Sequence, residues 1–396
     1  MQCGRPLLLR QPFPPDAFDQ VILGCVNVLA DEMNPARVAA LRLGMGETMT
    51  AFTMQINCGS GMQSIDTAFR YIREGSANLI LAGGAESLSH APLVYSRSAV
   101  NWYAKLFGAR SLGARLSALL ALRPAFFKPV IGLERGLTDP ITDLNMGQTA
   151  EFVAHLFHIT RRQADEYSAE SQQRLAAAQK DGHLVGELEP AFARDGTVFD
   201  HDDGVRPDST ADSLAKLKPA FERPWGKVTA GNSSQITDGA SWVILASEDA
   251  VRAHNLTPKA VIVDSEWSAL DPSIMGLGPV YCTTALLKRH QLGIGDIELW
   301  ELNEAFAAQV LGCLAAWEDA EFCRDALGLP GPAGRIPRDR LNVDGGAIGT
   351  GHPVGASGNR IVLHLVNAMK RLGKRRGIAT ECIGGGQGGA MLIEAI

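Results

Sequence analysis

The sequence predicts an α/β protein built from two similar layered halves, with a further unit inserted between them. Strand-like apolar stretches alternate with helix-like stretches from Phe18 to about Ser89, and the same order returns near the C-terminus. Such an alternation is typical of sheets covered by helices. Between these regions, from about Tyr95 to Lys227, basic apolar and polar helical stretches indicate an inserted unit.

The two halves show the same order of elements. In the first half the order is VILGCV, NPARVAALRLGM, FTMQIN, SIDTAFRYIREG and ANLILAGG. In the second half it is IELWEL, NEAFAAQVLGCLAAW, RLNVDGG, SGNRIVLHLVNAMKRLG and IATECIGGG. A turn before a helix is also repeated, as Cys58-Gly59-Ser60-Gly61 and as Gly355-Ala356-Ser357-Gly358. These likenesses predict an internal duplication.

The domain boundaries follow from this duplication. We expect residues 1–94 with 228–253 to form the first half, residues 95–227 the inserted unit and residues 254–396 the second half. Within the inserted unit, helical spacing predicts one amphipathic helix from Met146 to about Lys180, followed by polar turns around His201 to Asp208.

A second pattern in the inserted unit runs from Ser96 to Leu133. This stretch has no acidic residue, and its leucines recur at helical spacing, which predicts a basic amphipathic helix. Its basic residues are Arg97, Lys105, Arg110, Arg115, Arg123 and Lys128, and the leucines are Leu112, Leu116, Leu119 and Leu120.

Composition excludes several classes of protein. The chain has 396 residues, 46% of them hydrophobic, and a net charge of -6, so neither disorder nor nucleic-acid binding is expected. No run of about 18 apolar residues appears, and no membrane span is predicted. The 7 cysteines are scattered without paired spacings, which argues against a disulfide framework and against a metal site. We therefore expect a cytoplasmic or otherwise reducing location.

Cys58 is the first candidate for chemistry. It lies where an apolar strand-like stretch gives way to Gly-Ser-Gly and a helix. Backbone N–H groups and the positive helix end at such a turn lower the pKa of a thiol, and small residues let a carbonyl approach. The alternative, a buried structural cysteine, has equal weight on this local pattern.

Three further residues are candidates for the same site. His352 lies in a loop fixed by glycines and a proline, and its titration near neutral pH suits a base. Cys382 ends an apolar strand before three glycines, where Gly384 suits an oxyanion donor. Asn303 either orients a water or the histidine, or is simply the N-cap of the following helix, which is the commoner case. A structural role is also open for His352 and Cys382.

Seven segments in order resemble the thiolase family: NCGSGMQSI, LAGGAES, VTAGNSSQITDGA, DPSIMGLGP, NEAFAAQV, NVDGGAIGTGHPVGASG and CIGGGQGGA. The resemblance covers nearly the whole chain from about Phe18 and implies the thiolase fold, with two duplicated αβαβα halves and an inserted loop domain. It also implies reversible cleavage of a 3-ketoacyl-CoA through an acylated Cys58. His352 would then activate the thiols, and Cys382 would move the α-carbon proton.

The resemblance further implies where coenzyme A, as co-substrate, would bind. One oxyanion would be held by His352 and a water on Asn303, the other by the N–H groups of Cys58 and Gly384. No permanently bound cofactor is implied. The positions that match the family's coenzyme A site are Arg206, Ser213, Phe221, Ala230, Ser234, Ala305 and Phe306, and those near the acyl pocket are Met146 and Met275. Each of these is equally explained as ordinary core. The family also implies a homodimer or homotetramer.

Two regions depart from the family pattern. Only about eighteen residues precede the first recognisable strand, so the first strand and helix of the first half are expected to be missing or replaced, which leaves a sheet edge to be covered. The stretch 96–133 resembles an insertion in thiolase subunits of fatty-acid oxidation complexes. It would dock a partner subunit or a membrane surface, or else pack on its own protein with solvated arginines.

Two rival functions stay open at this point. A ketoacyl synthase would share the fold and the nucleophilic cysteine, but it normally lacks a second cysteine such as Cys382. An inactive coenzyme A-binding scaffold subunit of a fatty-acid oxidation complex would explain the short N-terminus and the insertion. The sequence decides neither acyl chain length nor the degradative or biosynthetic direction.

Overall fold

The computed structural model describes all residues from Met1 to Ile396. It contains fifteen α-helices and twelve strands. The helices are α1 (Gly4–Leu9), α2 (Pro35–Arg42), α3 (Ser60–Arg73), α4 (Arg97–Gly108), α5 (Leu112–Leu120), α6 (Gly132–Gly136), α7 (Met146–Leu156), α8 (Arg161–Lys180), α9 (Ala211–Leu214), α10 (Glu248–Ala253), α11 (Gly278–Arg289), α12 (Ala307–Glu318), α13 (Ala320–Asp325), α14 (Ala347–Thr350) and α15 (Val354–Leu372). The strands are β1 (Gln20–Gly24), β2 (Thr50–Met54), β3 (Leu79–Ser87), β4 (Leu93–Val94), β5 (Val130–Ile131), β6 (Ala191–Phe192), β7 (Val198–Phe199), β8 (Asp238–Ala246), β9 (Ala260–Ala269), β10 (Leu299–Leu302), β11 (Arg376–Ile383) and β12 (Gln387–Ala395).

The two halves each contain a four-stranded mixed sheet. The first has the order β2-β1-β3-β8, in which β1 is parallel to β2 and β3 while β8 is antiparallel to β3. The second has the order β10-β11-β12-β9, in which β10 and β11 are parallel and β12 is antiparallel to both neighbours. The predicted duplicated α/β fold is therefore confirmed.

The helices α3 and α15 lie between the two sheets and pack on each other. One apolar core joins the two sheets and the helix layer between them; among its members are Ile22 and Ile80 of the first sheet, Ile65 and Ile361 of the helices, and Ala379 and Met391 of the second sheet. Strand β3 and the start of α15 approach each other closely at Gly84, where a Cβ atom would lie 2.2 Å from the Gly355 carbonyl oxygen. The start of α15 is thus held directly against strand β3.

The predicted helix from Met146 to Lys180 is wrong as one helix, because the chain forms α7 and α8 with a break between them. His158 adopts a left-handed φ of 54°, which a continuous helix does not allow. Thr160 then caps α8, and Gln163 returns a bond to the Thr160 N–H at 2.7 Å. The stretch RLNVDGG, which corresponds in order to a strand of the first half, makes only a single bridge at Leu341.

The basic stretch forms two helices, α4 and α5. They contact each other at Trp102 of α4, whose indole N–H donates to the Ala118 carbonyl of α5 at 2.8 Å. The leucines of α5 point away from the rest of the protein: Leu112 is 86% exposed and Leu120 is 80% exposed. The opposite side of α5 packs on α4 of the same chain, where Ala118 is 9% exposed and Trp102 8% exposed. No helix of the chain is both long enough and apolar enough to cross a bilayer.

The expected departure in the first half is present in the sheet. In the second half β9 pairs with β12 over its full length, whereas nothing pairs with β8 on the side away from β3. Helix α1 lies near this edge, and Leu8, Phe13 and Phe18 join an apolar cluster with Trp242 of β8. A short helix and a loop thus cover part of the edge without pairing with it.

Candidate active site

The turn that carries Cys58 is held by its own neighbours. Asn57 adopts a left-handed φ of 46°. The Ser60 hydroxyl accepts from the Ile56 N–H at 2.9 Å and donates to the Asn57 carbonyl at 2.6 Å. These bonds fix the backbone of Cys58 at the start of α3, as a sharp strand-to-helix turn for a nucleophile requires.

The second half meets this turn at Gly384. The Asn57 amide donates to the Gly384 carbonyl at 2.7 Å, and the Gly384 N–H interacts with the Cys58 sulfur. Burial nevertheless raises the pKa of Cys58 to about 12, against the lowering effect of that N–H. The expected lowered thiol pKa is therefore wrong for the free protein, because loss of solvent outweighs the backbone donors.

His352 is oriented through its Nδ1 atom, which lies 2.6 Å from the Ser357 hydroxyl. That hydroxyl donates to the Pro353 carbonyl at 3.2 Å, so it accepts from Nδ1–H. The backbone N–H of His352 donates to the Gln235 carbonyl at 2.9 Å. This arrangement leaves Nε2 unprotonated, and Nε2 is buried without a hydrogen-bond partner. The ring is therefore positioned to accept a proton at Nε2.

The pKa of His352 differs from the expected value near neutrality. Burial, assisted by the positive charge of Arg360, lowers it to about 4. The imidazole is therefore neutral at physiological pH, and a base of this kind gains a proton only when a negative charge forms beside it. The resting pair of Cys58 and His352 is uncharged.

Cys382 lies at the end of β11 and is 1% exposed. Burial first, and the negative charge of a Cys58 thiolate second, raise the pKa of Cys382 well above its usual value. The two sulfurs are thus close enough to influence each other. Around Cys382 the structure brings together predicted substrate-site residues: Met275 and Ala305 are buried with it, and Met146 and Phe306 pack against them.

The predicted N-cap role of Asn303 is not observed. Helix α12 begins at Ala307, with Phe306 at its N-cap position. Asn303 instead follows β10, where its N–H donates to the Thr380 carbonyl at 3.0 Å. Both polar atoms of its side-chain amide are buried and unpartnered. Such an orphaned amide is costly unless it binds a water or a ligand.

Two carboxylates hold the site and were not identified from the sequence. Glu304 accepts from the Tyr167 hydroxyl at 2.8 Å and the Ser171 hydroxyl at 2.6 Å, which ties the loop after Asn303 to α8. Glu86 accepts from the Gly355 N–H at 3.0 Å and so ties β3 to the start of α15. A sequence signal existed only for Glu304, as an acidic residue between two buried apolar stretches.

A third carboxylate, Glu381, lies next to Cys382 and is fully buried. Neither of its oxygens has a hydrogen-bond partner. Burial raises its pKa well above the usual value, despite the positive charge of Arg360. Glu381 is therefore a neutral acid beside the two thiols.

The predicted coenzyme A contacts fall into two groups. The first group lies around Cys382: the Ser234 hydroxyl donates to the Ala305 carbonyl at 3.0 Å, and the Phe221 ring meets Phe306 edge-on at 6.2 Å. Met146 belongs here too, because a Cβ atom on Gly384 would lie 3.4 Å from its sulfur.

The second group lies at the surface of the protein. Arg206, Ser213 and Ala230 are exposed. The Ser213 hydroxyl donates to the Thr210 carbonyl at 2.8 Å, and the Arg206 N–H donates to Gln172 at 2.8 Å. No hydrogen bond joins these three residues to Cys58, His352 or Cys382.

Comparison with known proteins decides the family. The thiolase N-terminal domain matches residues 2–249, and the thiolase C-terminal domain matches residues 256–395. The chain belongs to the thiolase family. It is 39% identical over 400 residues to the 3-oxoadipyl-CoA/3-oxo-5,6-dehydrosuberyl-CoA thiolase of Escherichia coli K12, covering 99% of this chain and 92% of the relative.

Two other relatives of this thiolase are informative. The chain is 35% identical over 390 residues to the mitochondrial trifunctional enzyme subunit beta of Mus musculus, covering 98% of this chain and 81% of the relative. The crystal structure of human mitochondrial 3-ketoacyl-CoA thiolase in complex with CoA superposes with a TM-score of 0.84 at 36% identity, covering 99% of this chain and 90% of that one. The activity of the protein is that of an acetyl-CoA acyltransferase, which cleaves a 3-ketoacyl-CoA by thiolysis or condenses acyl-CoA in reverse.

Proposed function

We propose that Cys58 carries the acyl group in this thiolase, with His352 as the base for thiols and Cys382 as the acid and base for the α-carbon. The observation that carries the proposal is the pair formed by Cys58, at the start of α3, and the oriented, neutral His352, just before α15. These two helix starts pack together between the sheets.

In the first step, His352 Nε2 takes the proton of the Cys58 thiol while the sulfur bonds to the 3-keto carbon. The bond between the α-carbon and that carbon then breaks, and the Cys382 thiol protonates the departing enolate, which leaves as acetyl-CoA. Because the thiol pKa is near 12 and the imidazole pKa near 4, the proton moves only together with carbon–sulfur bond formation.

In the second step, the proton on His352 returns to the Cys382 thiolate, which makes the imidazole a base again. His352 then takes the proton of the coenzyme A thiol, whose sulfur attacks the acyl carbon. Cys58 leaves as a thiolate and recovers that proton from His352. Both catalytic cysteines are thus restored, and the acyl group departs as acyl-CoA.

Each step forms an oxyanion that needs hydrogen-bond donors. We assign one to the N–H groups of Cys58 and Gly384, since the Gly384 N–H already interacts with the Cys58 sulfur. We assign the other to protonated His352 and a water on Asn303, whose buried amide is otherwise without a partner. Fixed donors in a water-poor site stabilise such charges more strongly than solvent does.

Coenzyme A would lie between the inserted unit and the second half. Arg206 and Ser213 are assigned to the nucleotide end, which suits an exposed guanidinium. The pantetheine arm would pass Ala230 and the apolar wall described above, Phe221, Ser234, Ala305 and Phe306. The acyl chain would meet Met146 and Met275, which lie with Cys382. In this proposal, the inserted unit that contributes to the coenzyme A site consists of residues 95–227.

The test is thiolysis of acetoacetyl-CoA with coenzyme A, followed by loss of the enolate absorbance. We expect activity in the wild type and a loss of about 10^4-fold or more in Cys58→Ala, since removal of a nucleophile costs this much in other acyl-transfer enzymes. The control is Cys323→Ala, a buried cysteine of α13, which should keep near wild-type activity.

Intact-mass measurement after incubation with acetyl-CoA sharpens the test. The wild type should gain one acetyl group and Cys58→Ala none. Full activity in Cys58→Ala would defeat the mechanism. An inactive, unlabelled wild type that still binds coenzyme A would instead favour the scaffold function.

A second proposal concerns the exposed stretch 96–133. We propose that it docks the thiolase peripherally on an anionic lipid surface. The stretch contains only basic charges, and its apolar side chains, such as Phe107 at 80% exposure and Leu112 at 86%, face solvent. Basic residues beside exposed leucines are the combination that interfacial helices use. The protein would then work as a homodimer or homotetramer in a reducing compartment, at a membrane surface.

Liposome flotation with anionic vesicles tests this proposal. The triple variant Arg110→Glu, Arg115→Glu, Arg123→Glu should lose flotation, while a matched triple on exposed helix positions elsewhere, Lys288→Glu, Arg324→Glu, Lys370→Glu, should keep it. Equal flotation of the two triples would remove the membrane proposal. If neither wild type nor variant floats, a partner subunit of a fatty-acid oxidation complex is the remaining occupant.

A further inference from the structure

We propose that His364 is a positioning residue of this thiolase, which bridges the carboxylates of Asp344 and Glu301. The two segments that carry these carboxylates also carry His352 and Asn303, and the bridge sets the distance between them. This role rests on the proposed function, because it uses the oxyanion hole assigned to that pair. His364 acts through these segments and not on the substrate itself.

Helix α15 presents one polar stripe that begins near His352. Its members recur at intervals of three and four residues and therefore share one face of the helix: Ser357, Arg360, His364, Asn367 and Arg371. The first of them, Ser357, orients the His352 ring. The later ones meet three carboxylates that belong to other segments, namely Glu187, Glu301 and Asp344. The stripe that orients the catalytic imidazole thus continues into an ionic cluster.

Both ring nitrogens of His364 face carboxylates. Nδ1 lies 2.7 Å from Glu187 Oε1, and the other Glu187 oxygen accepts from the Asn367 amide at 2.9 Å, which fixes the orientation of the ring. Nε2 lies 3.4 Å from Asp344 Oδ2 and 3.8 Å from Glu301 Oε1. Because an ionised carboxylate only accepts hydrogen bonds, this arrangement requires a proton on each nitrogen. Burial, which lowers the pKa of His364, is outweighed by the three carboxylates, which raise it to about 10. The ring is a buried cation.

The two carboxylates at Nε2 lead to the two sides of the assigned oxyanion hole. Asp344 precedes α14, the short helix after which the chain reaches His352. Glu301 lies in β10, which ends directly before Asn303. The Asn303 amide has no hydrogen-bond partner of its own. Its place is therefore set by the backbone at the end of β10.

Without a cation between them, Asp344 and Glu301 would repel each other. They are 4% and 1% exposed, and buried charges are little screened by water. Burial, together with the charges of Glu304 and Asp344, raises the pKa of Glu301 to about 7, against the lowering effect of His364 and Arg360. The cation thus determines how closely the two segments approach.

The two arginines of the stripe hold one of these carboxylates each. Arg360 Nη1 lies 3.8 Å from Glu301 Oε2, and Arg371 pairs with Asp344. Of the three cations on α15, His364 is the one that faces both Asp344 and Glu301. The bridge is therefore a property of this residue and not of the cluster as a whole.

The first measurement is the turnover of His364→Gln in thiolysis of acetoacetyl-CoA. The glutamine can still donate to Glu187, but it brings no charge to the other two carboxylates. We expect kcat to fall about tenfold, since small misplacements of catalytic groups have effects of this size or larger, while KM for coenzyme A stays unchanged. His183→Gln is the matched control, because His183 faces Asp344 alone, at 2.9 Å, and it should keep the wild-type kcat.

A double-mutant cycle with Asn303→Ala separates positioning from a general loss of structure. Once the Asn303 amide is absent, its misplacement has no further effect, and His352 is held separately by Ser357. Adding His364→Gln to Asn303→Ala should therefore leave kcat unchanged. The same tenfold loss in the Asn303→Ala background would overturn the role of His364 and leave the acyl-transfer mechanism intact. Wild-type kcat in Asn303→Ala would instead remove the assigned oxyanion hole, and the role of His364 with it.

His364→Gln leaves the buried cluster with an excess negative charge, which can prevent folding. The double variant His364→Gln, Glu187→Gln loses one charge of each sign and still lacks the bridge. It should unfold in urea at a midpoint closer to that of the wild type and show the same fall in kcat as the single variant. A folded double variant with the wild-type kcat would overturn the proposal.

Discussion

A serine lies at the equivalent position near the start of α3 and of α15, but its hydrogen bonds differ between the two helices. In the first half, Ser60 bonds to the backbone of its own turn, at Ile56 and Asn57, and thereby holds Cys58. In the second half, Ser357 bonds to the ring of His352 and to the Pro353 carbonyl. The duplicated turn is one structural device that fixes a backbone in one half and orients a side chain in the other.

The difference also shows what each half contributes to catalysis. Burial acts on both reacting groups, raising the pKa of Cys58 to about 12 and lowering that of His352 to about 4. Both effects favour the uncharged form. In the proposed mechanism, the first half thus supplies a protonated nucleophile and the second a neutral base, and charge appears only when substrate links them.

The largest expected effect is that of His352→Gln. The glutamine keeps a polar side chain but cannot accept the thiol proton, so kcat/KM for thiolysis should fall about 10^3-fold, within the range of general-base catalysis. His155→Gln, at an exposed position of α7, is the control and should leave kcat/KM unchanged. A loss of less than tenfold in His352→Gln would show that another group removes the proton.

The wild type also has an expected pH dependence. Because the folded-state pKa of His352 is about 4, its base form persists well below pH 6.5. We therefore expect the acid limb of kcat/KM to lie near pH 4 rather than near 6.5, as measured with a substrate stable over that range. The stability of the fold changes in the same direction. As pH falls from about 6.5, the pKa of an unfolded-state histidine, towards 4, the free energy of unfolding decreases, because only the unfolded state readily takes the proton.

The next effect concerns the packing that brings the two halves together. In Gly84→Ala the new methyl group would lie 2.2 Å from the Gly355 carbonyl oxygen and 2.7 Å from the Ala356 Cα, both of them backbone atoms. Overpacking of this kind costs about 1 to 3 kcal/mol, and we expect a lower midpoint of urea unfolding together with reduced activity. Gly113→Ala in α5 meets open space and should instead stabilise slightly. Equal midpoints for the two variants would mean that the helix and the strand separate easily.

Much of this architecture was predictable because its signals are local. The strands β1, β2 and β3 and the helices α3 and α15 follow from apolar patterns, and the repeated turn at Cys58 and Gly355 indicated the duplication. The thiolase family was likewise predictable, because its motifs are short segments that occur in a fixed order along the sequence. In contrast, the helix predicted over residues 146–180 is broken at His158, where no glycine or proline marks the break.

The parts that could not be predicted depend on distant segments. The lowered pKa of His352 requires knowing that the ring is buried, and the Gly355–Glu86 bond joins segments far apart in sequence. The same holds for Asn303, whose position before a helix pattern favoured an N-cap until the helix was found to begin later. The spacing of residues along the sequence does not show which side chains are buried in the folded protein.

A smaller effect should appear at Glu381, which is buried and neutral next to Cys382. Its folded pKa lies above the unfolded value, so the folded state loses stability as pH rises through this interval. Glu381→Gln cannot ionise, so its stability relative to the wild type should be greater at pH 8 than at pH 4. Thermal melts at the two pH values measure this. The exposed Glu47→Gln is the control and should show no such pH-dependent gain.

The smallest expected effects concern the equivalent serines, Ser60 and Ser357. Ser357→Ala removes the acceptor of the His352 Nδ1 proton, worth about 1 kcal/mol, so kcat/KM should fall about fivefold with little change in melting temperature. Ser357→Thr should restore it. Ser60→Ala leaves the Ile56 N–H without its partner and should lower the melting temperature more than Ser357→Ala does. If the two alanine variants lose the same stability and the same activity, the duplicated serine has one task in both halves, and the division between backbone support and side-chain orientation is incorrect.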